Sequence, residues 1–116
     1  MNKVMIVDDD RNMVSLLKIL LEMDGFEVVN ISQVAEFINT VRAEEPDIVL
    51  LDVFISSIDG KELMAELRKT EDVQNTKVVM TSGMDLAEQC KQAGADDFLL
   101  KPYTPEQLMN IIQKNI

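Results

Sequence analysis

The sequence predicts an α/β fold in which a parallel β-sheet is covered by helices on both faces. Short apolar runs alternate with longer stretches whose apolar residues recur every three or four positions, as on one face of a helix. Five such pairs follow one another within 116 residues, which is the usual size of one domain. Strands that alternate with helices form right-handed βαβ units, so we expect a doubly wound sheet of five parallel strands.

The first half of the chain contains three predicted strands and two predicted helices. Residues 4–7 and 48–51 are continuous apolar runs, typical of strands buried on both faces, whereas residues 26–31 alternate as a strand nearer the edge does. Gly25 is the predicted C-cap of the first helix, and Ser32 is the predicted N-cap of the second. The apolar face of the first helix is predicted to comprise Met13, Leu16, Leu17, Leu20 and Leu21. That of the second is predicted to comprise Val34, Phe37, Ile38 and Val41.

The middle of the second half is predicted from turn signals and a short apolar run. Asp59 and Gly60 form a turn that leads into a third helix, and residues 78–80 form a fourth strand. A shorter helix over residues 85–93 ends at Gly94. The third helix is expected to bury Leu63, Met64 and Leu67.

The last strand and helix have the most specific local signals. Residues 98–100 form the fifth strand, and Thr104 and Gln107 have the spacing of a capping box at a helix start. Pro105 occupies the first helical position, where its missing N–H is tolerated. The residues of this helix that face the core are predicted to be Leu108, Ile111 and Ile112. We expect a single domain spanning residues 1–116 with no attached output domain.

Composition excludes several classes of function. The formal net charge is −10, which disfavours direct binding to nucleic acid or to anionic membranes. The chain has no histidine, which excludes zinc sites built on histidine and catalytic triads that need it. Cys90 is the only cysteine, so no internal disulfide forms. No apolar run is long enough for a membrane span or a signal peptide, and we expect a cytoplasmic protein.

Chemically reactive side chains follow four of the predicted strands. Asp8–Asp10 follow the first strand, Asp52 the third, Thr81–Gly83 the fourth and Lys101 the fifth. In an open doubly wound sheet the carboxyl ends of the strands meet at one rim, where ligands bind. We therefore expect carboxylates, a hydroxyl and an ammonium group to lie close together.

Crowded carboxylates need a cation, and their oxygens suit a hard metal. Mg²⁺ is the expected ion, with Mn²⁺ as the alternative, because it binds carboxylates together with phosphate oxygens. Within such a site Asp52 is a candidate nucleophile toward phosphorus, since a carboxylate can form an acyl phosphate. Lys101 and Ser82 are candidates to bind the phosphoryl oxygens.

Taken in order, these residues resemble the receiver domain of two-component response regulators. The resemblance rests on the acidic pair Asp8-Asp9, on Leu50-Leu51-Asp52 followed by Asp59-Gly60, on Ser82-Gly83, and on Lys101-Pro102. It covers essentially the whole chain and implies the strand order 2-1-3-4-5. It also implies a stand-alone receiver that takes a phosphoryl group from a sensor histidine kinase or a histidine phosphotransfer domain and then changes its affinity for a downstream target protein.

The resemblance assigns a role to each matching residue. Asp52 is the phospho-acceptor and binds the metal, together with Asp9 directly and Asp8 mostly through water. The backbone carbonyl of Phe54 is a further metal ligand. The phosphoryl group is bound by Ser82, Gly83 and Lys101; Ser82 and Phe98 move as switch residues; and the Lys101–Pro102 peptide is cis. The implied protein is a phospho-acceptor that assists its own phosphorylation and dephosphorylation, and is not otherwise an enzyme.

Three features depart from the family pattern. Ser56 stands where the family often has proline, and the stretch from Ser82 to Lys101 is about one helical turn shorter than is common. Phe54 and Met84 occupy positions that in the family control the access of water to the acyl phosphate, and both are bulky and apolar here. We hypothesise slow self-dephosphorylation.

Simpler interpretations and other functions remain open at this point. Asp8–Asp10 could be a solvated turn, Ser82 a satisfied hydroxyl at a strand end, and Phe98 plain core. The spacing Asp8-x-Asp10 resembles that of haloacid-dehalogenase phosphatases, although Asn12 departs from their motif. A flavodoxin-like carrier would need a phosphate-binding loop where the three aspartates stand. A pseudo-receiver that binds partners without phosphorylation is the remaining alternative.

Overall fold

The computed structural model describes residues 2–31 and 33–116, so the predicted N-cap at Ser32 lies outside the described residues. The strands are β1 (Lys3–Val7), β2 (Glu27–Ile31), β3 (Ile48–Asp52), β4 (Phe54–Ile55), β5 (Ile58–Asp59), β6 (Val78–Ser82) and β7 (Asp97–Leu100). The helices are α1 (Arg11–Met23), α2 (Phe37–Glu44), α3 (Gly60–Lys69), α4 (Ala87–Gln92) and α5 (Pro105–Asn115), and a short 3-10 turn at Val34–Glu36 precedes α2.

The main sheet has five parallel strands in the order β2-β1-β3-β6-β7. The short strands β4 and β5 lie outside the main sheet, so β6 and β7 are its fourth and fifth strands along the chain. The predicted order 2-1-3-4-5 is therefore confirmed. Strands β4 and β5 form a separate antiparallel hairpin of two residues each, directly after β3, which the sequence did not predict. The order reverses between β1 and β3, so the crevice at their carboxyl ends is the expected ligand site.

Two apolar layers pack on the two faces of the sheet. Helices α2, α3 and α4 cover one face, where Phe37, Met64, Leu67 and Cys90 are fully or almost fully buried. Helices α1 and α5 cover the other face and include Leu21. The alternation of side chains along each strand divides the strand residues between these two layers.

The predicted apolar face of α1 is too wide. Leu17 and Leu21 are buried, but Leu16 is 56% exposed. At 3.6 residues per turn Leu16 lies about 100° around the helix from Leu17, which places it beyond the strip that contacts the sheet. The i, i+3, i+4 spacing alone does not mark where this strip ends.

The helix ends agree with the local signals in most cases. The C-cap of α1 is Asp24 and not the predicted Gly25, which follows it with φ at 90°. Asp10 is the N-cap of α1 and accepts a hydrogen bond from the Met13 N–H at 3.1 Å. The capping box between Thr104 and Gln107 is present with both of its hydrogen bonds. Helix α4 is shorter than predicted and begins only at Ala87, without a side-chain cap. None of the described helices is both long enough and apolar enough to cross a membrane.

Candidate metal and phosphoryl site

The ends of β1, β3, β6 and β7 place the predicted polar residues on one rim of the sheet. Asp8 follows β1 directly, and Asp52 is the last residue of β3, which pairs with β1 and β6. Asp8, Asp9 and Asp52 each contribute a carboxylate oxygen, and these oxygens all lie within 4.8 Å of one another. The predicted acidic cluster is therefore present.

Lys101 is the cation of this cluster. Its Nζ lies 3.0 Å from Asp8 Oδ2 and 3.4 Å from Asp52 Oδ2, and the side chains of all three residues are largely buried. Burial lowers the pKa of Lys101, but the hydrogen bond to Asp8 and the charges of Asp52 and Asp8 outweigh it, so that its pKa lies above the ordinary value. The ammonium group stays protonated and neutralises part of the negative charge.

The carboxyl group of Asp52 is strongly affected by burial. Burial is the main reason that its pKa lies above the ordinary value, with the charge of Asp8 acting in the same direction. Lys101 and the backbone N–H of Phe54 oppose this effect without cancelling it. A partly desolvated carboxylate is a better nucleophile than a fully hydrated one, and it attracts a metal cation more strongly.

Replacing Asp52 by asparagine is expected to stabilise the metal-free protein at neutral pH. A carboxyl group with a raised folded pKa contributes stability that is present below the unfolded pKa and is lost as the pH rises through the folded pKa. At pH 7 the ionised Asp52 carboxylate therefore destabilises the folded state, and the uncharged amide of Asp52→Asn does not. With EDTA at pH 7 the melting temperature of the variant should exceed that of the wild type by a few degrees. The difference should shrink toward zero below about pH 4, where carboxyl groups are protonated in both states. Thermal melts across this range, with exposed Glu71→Gln as the control, check it; a difference that did not vary with pH would contradict it.

The other two acidic residues are held by backbone groups. Asp8 Oδ1 accepts a hydrogen bond from the Asp10 N–H at 2.9 Å. Asp9 is exposed, and its Oδ2 accepts a hydrogen bond from the Ser56 N–H at 2.7 Å and lies 3.4 Å from Ser56 Oγ. The contact between Asp9 and Ser56 joins the loop after β1 to the β4–β5 hairpin.

The predicted phosphoryl-binding and switch residues lie on β6, on β7 and just beyond them. Ser82 is completely buried, and its Oγ accepts a hydrogen bond from the Met84 N–H at 3.1 Å. Its carbonyl accepts a hydrogen bond from the Lys101 N–H at 2.8 Å, which ties the ends of the two strands together. Gly83 is exposed directly after β6, and Phe98 is partly buried against the core beneath α4.

Two backbone features complete the rim. The Lys101–Pro102 peptide bond is cis. Phe54 begins the hairpin two residues after Asp52, with its side chain 53% exposed. A side chain on Gly60 would overlap the carbonyl oxygen of Asp52, so glycine is required where α3 begins directly behind the acidic cluster.

Tyr103 is a neighbour of the site that the sequence interpretation missed. Burial, followed by the charges of Asp8 and Asp52, raises its pKa to about 12. Its hydroxyl group lies 4.0 Å from Met13 Sδ. The available signal was its position two residues after Lys101, at the same rim.

The donor set fits a hard divalent cation. Mg²⁺ binds oxygen ligands at about 2.1 Å and accepts one or two carboxylates together with water. The three carboxylate oxygens are close enough to approach one such ion with small side-chain movements. Cysteine and histidine, the ligands that favour zinc, are absent from this rim because the chain has no histidine and Cys90 is buried in α4.

Comparison with known proteins agrees with this geometry. The family model described as the response regulator receiver domain matches residues 4–113. The chain belongs to this family. Over the aligned 108 residues, the receiver is 36% identical to the probable transcriptional regulator ycf27 of Guillardia theta, covering 91% of this chain and 42% of that protein. Over 111 residues it is 37% identical to the transcriptional regulatory protein CpxR of Klebsiella pneumoniae, covering 94% and 47%.

Solved structures agree as well. The receiver superposes on the chemotaxis protein CheY4 of Vibrio cholerae with a TM-score of 0.90 and 25% identity, covering 100% of this chain and 99% of that one. The chain thus spans less than half the length of the two transcriptional regulators but matches nearly all of the CheY4 chain. As a receiver domain it has a phosphoryl-accepting role in two-component signalling.

Proposed function

We propose that Asp52 is the residue that accepts the phosphoryl group. The observation that carries the proposal is the cluster itself: three carboxylate oxygens within 4.8 Å of one another, with Lys101 Nζ 3.0 Å and 3.4 Å from two of the three aspartates. Asp52 lies on β3, the central strand of the sheet, where it pairs with Thr81 of β6, and the preceding Leu51 pairs with Val7 of β1. The nucleophile is therefore held rigidly.

In the proposed reaction an oxygen of Asp52 attacks phosphorus and forms a new O–P bond. In the donor phosphohistidine the ring nitrogen that does not carry the phosphoryl group is protonated. The N–P bond breaks, its electron pair stays on the leaving nitrogen, and the imidazole departs neutral with the proton still on the other nitrogen. The donor is a sensor histidine kinase or a histidine phosphotransfer domain. The protein accepts the group onto itself and acts on no separate substrate, so we do not propose an enzyme.

The neighbouring residues would bind the group once it is transferred. Lys101 already lies within ion-pair distance of Asp52 and would pair with a phosphoryl oxygen. Ser82 would rotate away from the Met84 N–H and donate its hydroxyl hydrogen to another oxygen, with the Gly83 backbone beside it. Phe98 is a partly buried residue of β7 that packs against the apolar layer containing Cys90 of α4, so it would transmit the change to the surface formed by α4 and β7.

The residues that would hold the metal are Asp8, Asp9, Asp52 and the Phe54 carbonyl, with Mg²⁺ as the ion and Mn²⁺ as the alternative. The ion supplies positive charge to the phosphoryl oxygens.

A downstream protein would recognise the surface of α4, β7 and α5. Direct binding to nucleic acid or to a membrane is not proposed, because the net charge is −10. The buried, unpaired Cys90 is compatible with the reducing cytoplasm, where we place the protein.

The test is the intact mass of the protein after incubation with acetyl phosphate. We expect the wild type to gain one phosphoryl group only when Mg²⁺ is present, and Asp52→Asn to gain none. Glu71→Gln, which changes an exposed acidic residue outside the acidic cluster, should gain the group as the wild type does. If the wild type gains no mass, and beryllofluoride also leaves its NMR spectrum unchanged, the remaining interpretation is a pseudo-receiver that binds partners without phosphorylation.

A further inference from the structure

Ser56 has an unusual backbone conformation next to the acidic cluster. It lies in the turn of the β4–β5 hairpin with φ at 55°, in the left-handed region. A residue with a Cβ is less stable there than in its ordinary conformations. In this conformation its N–H donates to Asp9 Oδ2 at 2.7 Å. The hydrogen bond and the local strain therefore occur in the same residue.

The contact matters because Asp9 is otherwise exposed. A carboxylate at the surface samples several rotamers, and holding one of them requires a specific partner. Among the hydrogen bonds of the described residues, only Oδ2 of Asp9 is engaged, by the N–H and hydroxyl groups of Ser56. The other oxygen, Oδ1, is left for a cation.

Ser56 also connects two of the proposed ligand positions. The hairpin in which it lies begins at Phe54, whose carbonyl is a proposed ligand, and Asp9 belongs to the loop on the other side of the cluster. A bond from the hairpin to Asp9 therefore limits the movement of both. Proline could not make this bond, since it has no N–H and its φ is fixed near −65°.

We propose that Ser56 is a positioning residue for the metal: its N–H holds Asp9 Oδ2 so that Oδ1 points into the cluster before the cation arrives. This inference rests on the proposed function, because it presumes that Asp9 is a metal ligand. Groups that orient a metal ligand in this way typically change metal affinity about 10–100-fold when they are removed. If instead the metal had to displace Ser56 from Asp9, removing the hydrogen bond would raise the metal affinity and not lower it.

The first test is Mg²⁺ affinity, measured by calorimetric titration of the whole chain. Ser56→Pro is expected to bind Mg²⁺ about tenfold more weakly, because it removes the N–H and moves the turn. Ser56→Gly should bind like the wild type, since glycine keeps the N–H and adopts positive φ readily. Ser56→Ala keeps the N–H and should also bind normally, and exposed Ser57→Ala is the matched control. Equal or tighter binding by Ser56→Pro would overturn the proposal, as would a loss in Ser56→Gly as large as that in Ser56→Pro.

The second test does not depend on a variant that folds. Hydrogen exchange of the Ser56 amide, followed by NMR in the wild type, should be slow without Mg²⁺ and at least as slow with it. Faster exchange on adding Mg²⁺ would mean that the metal displaces the bond and would refute the positioning role. If the wild type binds no Mg²⁺ at all, the proposed metal site fails. If it binds Mg²⁺ and all the variants bind alike, only the role of Ser56 fails.

Discussion

Replacing Lys101 by methionine is expected to lower the free energy of unfolding of the metal-free protein by about 2–3 kcal/mol. The variant leaves Asp8 and Asp52 without their shared cation, and their side chains are only 6% and 11% exposed. Removing one partner of a buried ion pair typically costs about 3–5 kcal/mol, and we expect less here because solvent reaches Asp9 and part of Lys101. Urea unfolding in EDTA measures the difference.

Adding Mg²⁺ should reduce the difference between Lys101→Met and the wild type. A cation that binds only the folded state stabilises it by about 2.7 kcal/mol at one hundred times its dissociation constant. The variant should bind Mg²⁺ more tightly, because no ammonium group competes for Asp8 and Asp52.

Lys114→Met is the matched control for Lys101→Met. Lys114 Nζ lies 3.5 Å from Asp97 Oδ2, but its side chain is 75% exposed, and such pairs contribute at most about 1 kcal/mol. Equal unfolding midpoints for Lys101→Met and the wild type in EDTA would show that the acidic cluster does not depend on Lys101.

The acidic site could be predicted from the sequence because it depends on topology. Parallel strands that alternate with helices have their carboxyl ends on one rim, and the residue after each strand is read directly from the chain. Asp8, Asp52 and Lys101 are brought together in this way, although Lys101 is 93 residues from Asp8. Their proximity required only the strand order and the strand ends.

Contacts that depend on the exact course of a loop could not be predicted. The Ser56–Asp9 hydrogen bond requires a hairpin with a two-residue turn and a left-handed backbone conformation at Ser56. Neither feature has a strong signal in the sequence around Ser56. In the sequence, position 56 is distinguished only by serine in place of the proline that the family often has. The consequence, an N–H available to donate to Asp9, is visible only in three dimensions.

Arg68 is a second residue whose contacts could not be predicted from the sequence. On α3, its guanidinium donates to the carbonyls of Gly94, Gln74 and Thr76 and to Asp96 Oδ2, at distances from 2.7 to 2.9 Å. These bonds join α3 to the segments that enter β6 and β7. An arginine on a helix with an amphipathic pattern reads as surface charge, because no local pattern shows which carbonyl groups will surround it.

The acyl phosphate on Asp52 is expected to survive at least about tenfold longer in the wild type than in the double variant Phe54→Asn, Met84→Glu, because polar side chains can orient and activate an attacking water molecule. The Phe54 N–H is hydrogen-bonded to the Asp52 carboxyl group, and the Met84 N–H donates to Ser82 Oγ at 3.1 Å, so both residues lie beside the proposed phosphoryl site. Their side chains are 53% and 60% exposed, which places apolar surface where water must approach. The lifetime is measured by phosphorylating each protein with acetyl phosphate, removing the donor, and following the mass with time.

The two single variants show which side chain controls the access of water. Phe54 is held in the hairpin strand β4, whereas Met84 lies between β6 and α4, outside the helices and strands. We therefore expect Phe54→Asn to shorten the lifetime more than Met84→Glu does. Replacing exposed Ile58, which lies in the same hairpin, by asparagine controls for a general loosening of that hairpin and should leave the lifetime unchanged. If the double variant lost its phosphoryl group no faster than the wild type, hydrolysis would be limited by a step that these apolar side chains do not affect, such as the opening of the contacts proposed between the phosphoryl oxygens and Lys101 and Ser82.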